Sequence, residues 1–132
     1  IGIECTVIQP PSATPAPICS NQFDMWFSPD VATLVGWYRV GCATDYDLIR
    51  GSLSAVSTAA SAVDLGPVPC VANDVPQPNN RYITGPTDSQ TPPVGSAYFY
   101  VVRSIGSGVP DETYGHSSDD RERLPFSGDC AF

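Results

Sequence analysis

Along much of this chain apolar and polar residues alternate with a period of two, the pattern of strands that bury one face. Phe23 to Phe27 sets aromatics and a methionine around one acid, and Ser28-Pro-Asp30 then signals a turn. Ala32 to Val40 places Leu34, Gly36 and Tyr38 on one face and Thr33, Val35, Trp37 and Arg39 on the other. Gly41 to Thr44 makes the next turn. Asp45 to Arg50 reads as a third strand, with Tyr46 and Leu48 on one face, and Gly51-Ser52 breaks it. The strongest strand signal runs from Ser96 to Arg103, with Tyr98, Tyr100 and Val102 on one side and Phe99 and Val101 on the other. Ile105 to Asp111 turns the chain. Thr113 to Ser117 begins a last strand that fades into the polar run Ser118 to Arg123.

The segments between these strands are less regular. Ser52 to Ala62 is small and polar and reads as either a short helical turn or a loop. In Val63 to Ala72 the imino nitrogens of Pro67 and Pro69 cannot donate to a ladder, which places the segment at a sheet edge. Asn73 to Gly95 is rich in Pro, Asn and Asp and is expected to be a long loop. Residues 1–20 differ from the rest. A short β-prone run, Ile1 to Ile8, is followed by Pro10, Pro11, Pro15 and Pro17, which favour extended backbone. This stretch is either a linker or an arm that pairs with a neighbouring sheet edge. No stretch sustains a period of 3.6, so short strands joined by turns predict an all-β, antiparallel sandwich over residues 21–132. A chain of 132 residues suits one such domain with an extended N-terminal arm.

Composition narrows the partners. Charged residues make up 15% of the chain, against roughly 25% in ordinary soluble domains. All six basic residues are Arg, and the net charge is −8. Such a surface repels phosphate backbones and anionic lipid heads, so neither nucleic acid nor a membrane surface is an expected partner. No apolar run is long enough for a helix to span a bilayer. The first residue is Ile1, which suggests a removed leader or an excised fragment. Five cysteines, Cys5, Cys19, Cys42, Cys70 and Cys130, are widely spaced, with no C-x-x-C pair and a single histidine, His116. That spacing reads as disulfides formed in an oxidising, extracellular compartment and not as a zinc site. The odd count leaves one cysteine free or bonded to another chain.

The order of these segments resembles fibronectin type III-like domains of secreted and cell-surface bacterial proteins, over about Phe23 to Arg123. Phe23 to Pro29 looks like the first strand, and Leu34 to Trp37 like the second, with Trp37 in the place of the core tryptophan. Thr44 to Gly51 is similar to the third-strand pattern. Ala97 to Arg103 looks like the tyrosine-bearing later strand, and Thr113 to Ser118 resembles the last one. The Val63–Gly95 stretch is longer and richer in Pro than that pattern, and the N-terminal arm has no counterpart in it. The resemblance implies a β-sandwich core built on Trp37, Tyr46, Leu48, Tyr98, Tyr100 and Val102. It also implies that Cys19, just before the first strand, and Cys42, just after the second, meet at one end of the sandwich. Cys70 and Cys130 are then the next pair, tying the tail to the irregular edge, and Cys5 in the arm suits a bond to another chain.

Candidate chemistry is sparse. There is no Gly-x-Ser-x-Gly, His-Glu-x-x-His or phosphate-cradling glycine loop, so no catalytic or cofactor-binding residue is assigned. His116 reads as a surface residue. Acids gather as Asp45 with Asp47, Asp111 with Glu112 and Asp119 with Asp120. Asp45 and Asp47 point to one side of a strand and, with loop carbonyls, could hold Ca²⁺, but solvated charges neutralised by Arg50, Arg103 and Arg121 are the simpler account. Trp26 and Tyr82, if exposed, would form a sugar-stacking platform. The expectation is therefore a non-catalytic extracellular module whose partners are other protein chains, copies of itself included. In one version the arm completes a neighbour's sheet to build a surface filament. The alternative is a carbohydrate-binding accessory module of a secreted hydrolase, which predicts retention on an insoluble polysaccharide and its loss in Trp26→Ala.

Overall fold

The structure, a computed structural model, describes residues 25–28, 33–77, 79, 82–109 and 112–131. Among these residues eleven strands follow one another: β1 (Met25–Ser28), β2 (Thr33–Tyr38), β3 (Asp45–Ser52), β4 (Ser57–Thr58), β5 (Ala62–Asp64), β6 (Pro67–Val68), β7 (Cys70–Pro76), β8 (Tyr82–Asp88), β9 (Tyr98–Ile105), β10 (Glu122–Leu124) and β11 (Ser127–Gly128). A single 3₁₀ turn, Leu53–Ala55, is the only helical element among the described residues. The domain is an all-β sandwich built mainly on antiparallel pairing. A front sheet, β1-β2-β8, packs on a central sheet, β7-β3-β9. Two short sheets, β10-β5-β4 and β11-β6, lie behind the central one, and in them β10 pairs parallel to β5 and β11 parallel to β6.

The alternation in β3 and β9 explains the layering. Even positions face forward: Tyr46 and Leu48 of β3 and Tyr100 and Val102 of β9 join Val35 and Trp37 of β2 and Ile83 of β8 in the front core. Tyr98 is half-buried and packs against the same cluster. Trp37 meets Tyr46 edge to face at 5.7 Å. The Tyr46 hydroxyl accepts from the Val40 N–H at 2.7 Å and donates to Gln77 Oε1 at 2.5 Å, and its burial raises its pKa. Odd positions face backward: Ile49 and Val101 pack with Leu65, Val68, Tyr114 and Cys130 in a second core. Both faces of β3 are therefore covered, and Tyr46 to Ile49 form an unbroken buried run.

Two segments differ from expectation, while the Val63–Ala72 stretch keeps in β6 and β7 the edge position expected for it. The Asn73–Gly95 stretch is not one loop, because it holds the end of β7 and all of β8, the third strand of the front sheet. Pro86 fits inside β8 because the β2–β8 register shifts between Leu34 and Gly36, and a bulge needs no ladder donor there. The Val63–Ala72 stretch resolves into parts of β5, β6 and β7, with Pro67 opening β6 and the Pro69 carbonyl accepting from the Arg50 N–H at 3.2 Å. The last strand expected at Thr113 is absent. His116 makes an isolated bridge to Glu122 around a tight turn, in which the Ser117 carbonyl accepts from Asp120 N–H at 2.9 Å. The turn's own hydrogen bonds outcompete a continuous ladder, and the strands of this region are β10 and β11 instead.

Candidate functional site

After β9 the chain turns back across the rear of the central sheet. The tail 112–131 delivers Tyr114 and Cys130 into the second core. Cys130 forms a disulfide with Cys70, the first residue of β7, across a Cα–Cα distance of 4.8 Å. Leu65 N–H donates to Leu124 O at 2.9 Å, Phe126 N–H to Gly66 O at 3.1 Å, and Asp129 N–H to Val68 O at 2.9 Å. Gly128 is required at the closest approach. Its φ is +81°, and a Cβ there would lie 2.2 Å from Val68 O.

A charged network sits beneath this tail. Asp47 and Arg103 are register partners on β3 and β9 and both point backward. Asp47 is 0% exposed and Arg103 3%. Asp47 Oδ2 accepts from Arg103 Nη2 at 2.6 Å and Nε at 3.2 Å, and Oδ1 accepts from the Asp74 N–H at 2.9 Å. Asp74, at φ +51°, lies where the β3–β7 register shifts, so its N–H leaves the ladder and reaches the carboxylate. Arg103 also contacts Asp129 Oδ2 at 3.4 Å and lies 4.7 Å from the Tyr114 ring centroid. Burial works against the guanidinium's charge, but Asp47, with Tyr114 and Asp129, outweighs it and raises the pKa. The Tyr114 hydroxyl donates to Asp129 Oδ1, and burial followed by this bond pushes the phenol well above its ordinary value. Asp129 adopts φ +97°, unusual for a residue with a Cβ, and this cluster holds it there.

A second ion pair ties front to centre. Arg50 Nη1 donates to Asp88 Oδ2 at 2.5 Å, and the Tyr100 hydroxyl donates to the same oxygen at 3.0 Å. Burial opposes ionisation of Asp88, but the Gln90 N–H, Arg50 and Tyr100 together hold its pKa below the usual value.

Of the residues singled out from the sequence, Trp37, Tyr46, Leu48, Tyr100 and Val102 lie in the front core, with Tyr98 at its margin. Cys42 is disulfide-bonded. Cys5, Cys19 and the arm lie outside the described residues, and so therefore does the expected Cys19–Cys42 pairing. The side chains of Trp26 and Tyr82 also lie outside the described part. Asp45 and Asp47 do not act as a pair, because the Asp47 carboxylate is committed to Arg103 and Asp74. Glu112 accepts from the Gly106 N–H at 3.0 Å, and Asp119 is held by Arg121 and Ser117. His116 is exposed at the turn. Among the described residues no group of three or more His, Cys, Asp or Glu is arranged to hold a metal ion.

Sequence reasoning missed the apolar pair on the tail's outer side. Phe126 is 74% exposed and Leu124 44% exposed, while the residue between them, Pro125, is half-buried. Their backbone is anchored by the bonds from Leu65 and to Gly66, so the side chains stand on a fixed platform. Leu-Pro-Phe in an otherwise polar tail was the available signal. Among the described residues no helix is long and apolar enough to cross a membrane. No protein-family model, no curated protein and no solved structure matches this chain.

Proposed function

We propose that this chain is a non-catalytic extracellular structural or interaction module of the fibronectin type III-like kind, whose partners are other protein chains, copies of itself included. The observation that carries this reading is Phe126 with Leu124, presented outward from a tail that a disulfide and two strand pairings hold in place. A rigid, exposed aromatic flanked by an aliphatic residue suits a binding anchor, because little side-chain and no backbone ordering remains to be done on contact. Strand order supports the family reading. With the short strands β4 to β6 left out, β1-β2-β8 reads A-B-E and β7-β3-β9 reads C′-C-F, a division like that of an immunoglobulin-like sandwich, although no strand in the place of G pairs with β9 among the described residues. In the filament version, the β-prone run Ile1 to Ile8 and the odd cysteine Cys5 supply the link between copies.

Light scattering and negative-stain microscopy of the full chain, with and without reductant, test this reading. Oligomers or filaments that Phe126→Ser or Cys5→Ser disperses support assembly. A monomer at all concentrations overturns the filament version. The carbohydrate-binding alternative rests on the same exposed aromatic, since a ring on a fixed platform can stack on a sugar. It requires retention on an insoluble polysaccharide that Phe126→Ala abolishes.

A further inference from the structure

We propose that the tail 112–131 is a redox-released strap, a separately cooperative layer that the Cys70–Cys130 bond keeps closed over an apolar face of the central sheet. This inference is independent of what the module binds. The strap's partners lie behind the front core: β5, β6, the first residue of β7, and the rear positions of β3 and β9. None of its residues belongs to the front core, which Trp37, Tyr46, Leu48, Ile83, Tyr100 and Val102 close without it. Its own strands are three and two residues long. Pairings this short add little cooperativity of their own, so beyond the contacts of Tyr114 and Asp129 it is the covalent link that decides whether the strap stays down. Beneath it lie Ile49 and Val101, together with the buried Asp47–Arg103 pair.

The two cysteines are placed unequally: residue Cys70 is exposed and residue Cys130 is 4% exposed. A thiolate of a dithiol reductant therefore attacks at Cys70, forming a mixed disulfide as the Cys70–Cys130 bond breaks. Cys130 leaves as a thiolate and takes a proton from water. The reductant's second thiolate then displaces Cys70 and closes its own disulfide, so two electrons pass from the reductant to the protein. The freed strap lifts and uncovers the rear face.

Hydrogen exchange on a full-length Cys70→Ser/Cys130→Ser variant, which retains the Cys42 bond, reads this directly. The Leu65, Arg123, Phe126 and Asp129 amides should exchange on the order of 100-fold faster or more, because with β9 and Cys70 in place the bond closes a loop of about 25 residues, from Ile105 to Cys130. Amides of the front sheet and of the β3–β9 ladder should change less than about 3-fold. Loss of protection everywhere together, or none at the strap, overturns the proposal. If the variant does not fold, limited dithiol treatment of the native protein with alkylation and mapping decides. Capture of Cys70 and Cys130 while the front sheet stays protected supports the strap. Their capture only on global unfolding, or only after Cys42 is reduced, overturns it.

Discussion

Replacing Asp47 by Ala takes from Arg103 the nearer of its two carboxylates in the rear core. The parent carboxylate is fully buried and accepts two bonds from Arg103, at 2.6 and 3.2 Å, and one from the Asp74 N–H. Removing it leaves the guanidinium with Asp129 at 3.4 Å and the Tyr114 ring, and leaves the bulge at Asp74 without its acceptor. Breaking a buried pair from one side costs about 3–5 kcal/mol. That is a large share of a total stability of roughly 5–15 kcal/mol. Changing both partners together, Asp47→Leu with Arg103→Met, removes the under-compensated charge as well. The double variant should therefore recover most of the loss, since apolar replacement of a buried pair is often neutral. Guanidinium titrations of the parent, Asp47→Leu, Arg103→Met and the double close a mutant cycle, with a coupling of at least about 2 kcal/mol expected between residues in direct contact. A single Asp47→Ala cost below about 1 kcal/mol, or a double variant as unstable as the sum of the singles, would refute the reasoning.

Other outcomes follow from single contacts. Gly51 faces Phe99 across the β3–β9 ladder, and a Cβ there would lie 2.0 Å from the ring, so Gly51→Ala should cost about 1–3 kcal/mol in urea unfolding. Adding Phe99→Leu should return part of that loss, and no return would mean the clash is not the cause. Asp88 has a folded pKa below its unfolded value, so its stabilisation is complete above the unfolded value of about 3.9 and is lost as pH falls through the folded pKa. Asp88→Asn should flatten the stability curve below about pH 4, and a curve parallel to the parent's would count against the Arg50–Asp88 account. Phe126→Ser should leave stability within about 0.5 kcal/mol while weakening association seen by light scattering. A large loss of stability would instead make Phe126 part of the fold.

The strands that alternate cleanly, around Trp37, Tyr46 and Tyr100, were legible because a two-residue period reports a face directly. Pro86 hid β8, because a proline argues against a strand until the opposing strand supplies a bulge to receive it. The charged network was half visible: Arg103 stands out as the one charge in the apolar strand β9, but Asp47 is one of three charges in β3, and their meeting depends on register. The Leu124–Phe126 platform was invisible as a site because exposure is not a property of the residues that carry it.

By itself, then, the sequence determined an all-β chain with a front core of alternating aromatic and aliphatic residues, because side-chain alternation is local and needs no knowledge of neighbours. The Cys70–Cys130 pair was already expected from the resemblance, and only the tertiary structure decided that the central sheet is covered on both faces, that the tail crosses behind it, and that Asp47 meets Arg103. Those features join residues tens of positions apart, and which distant segments meet is settled by the burial and hydrogen bonds the whole chain satisfies at once.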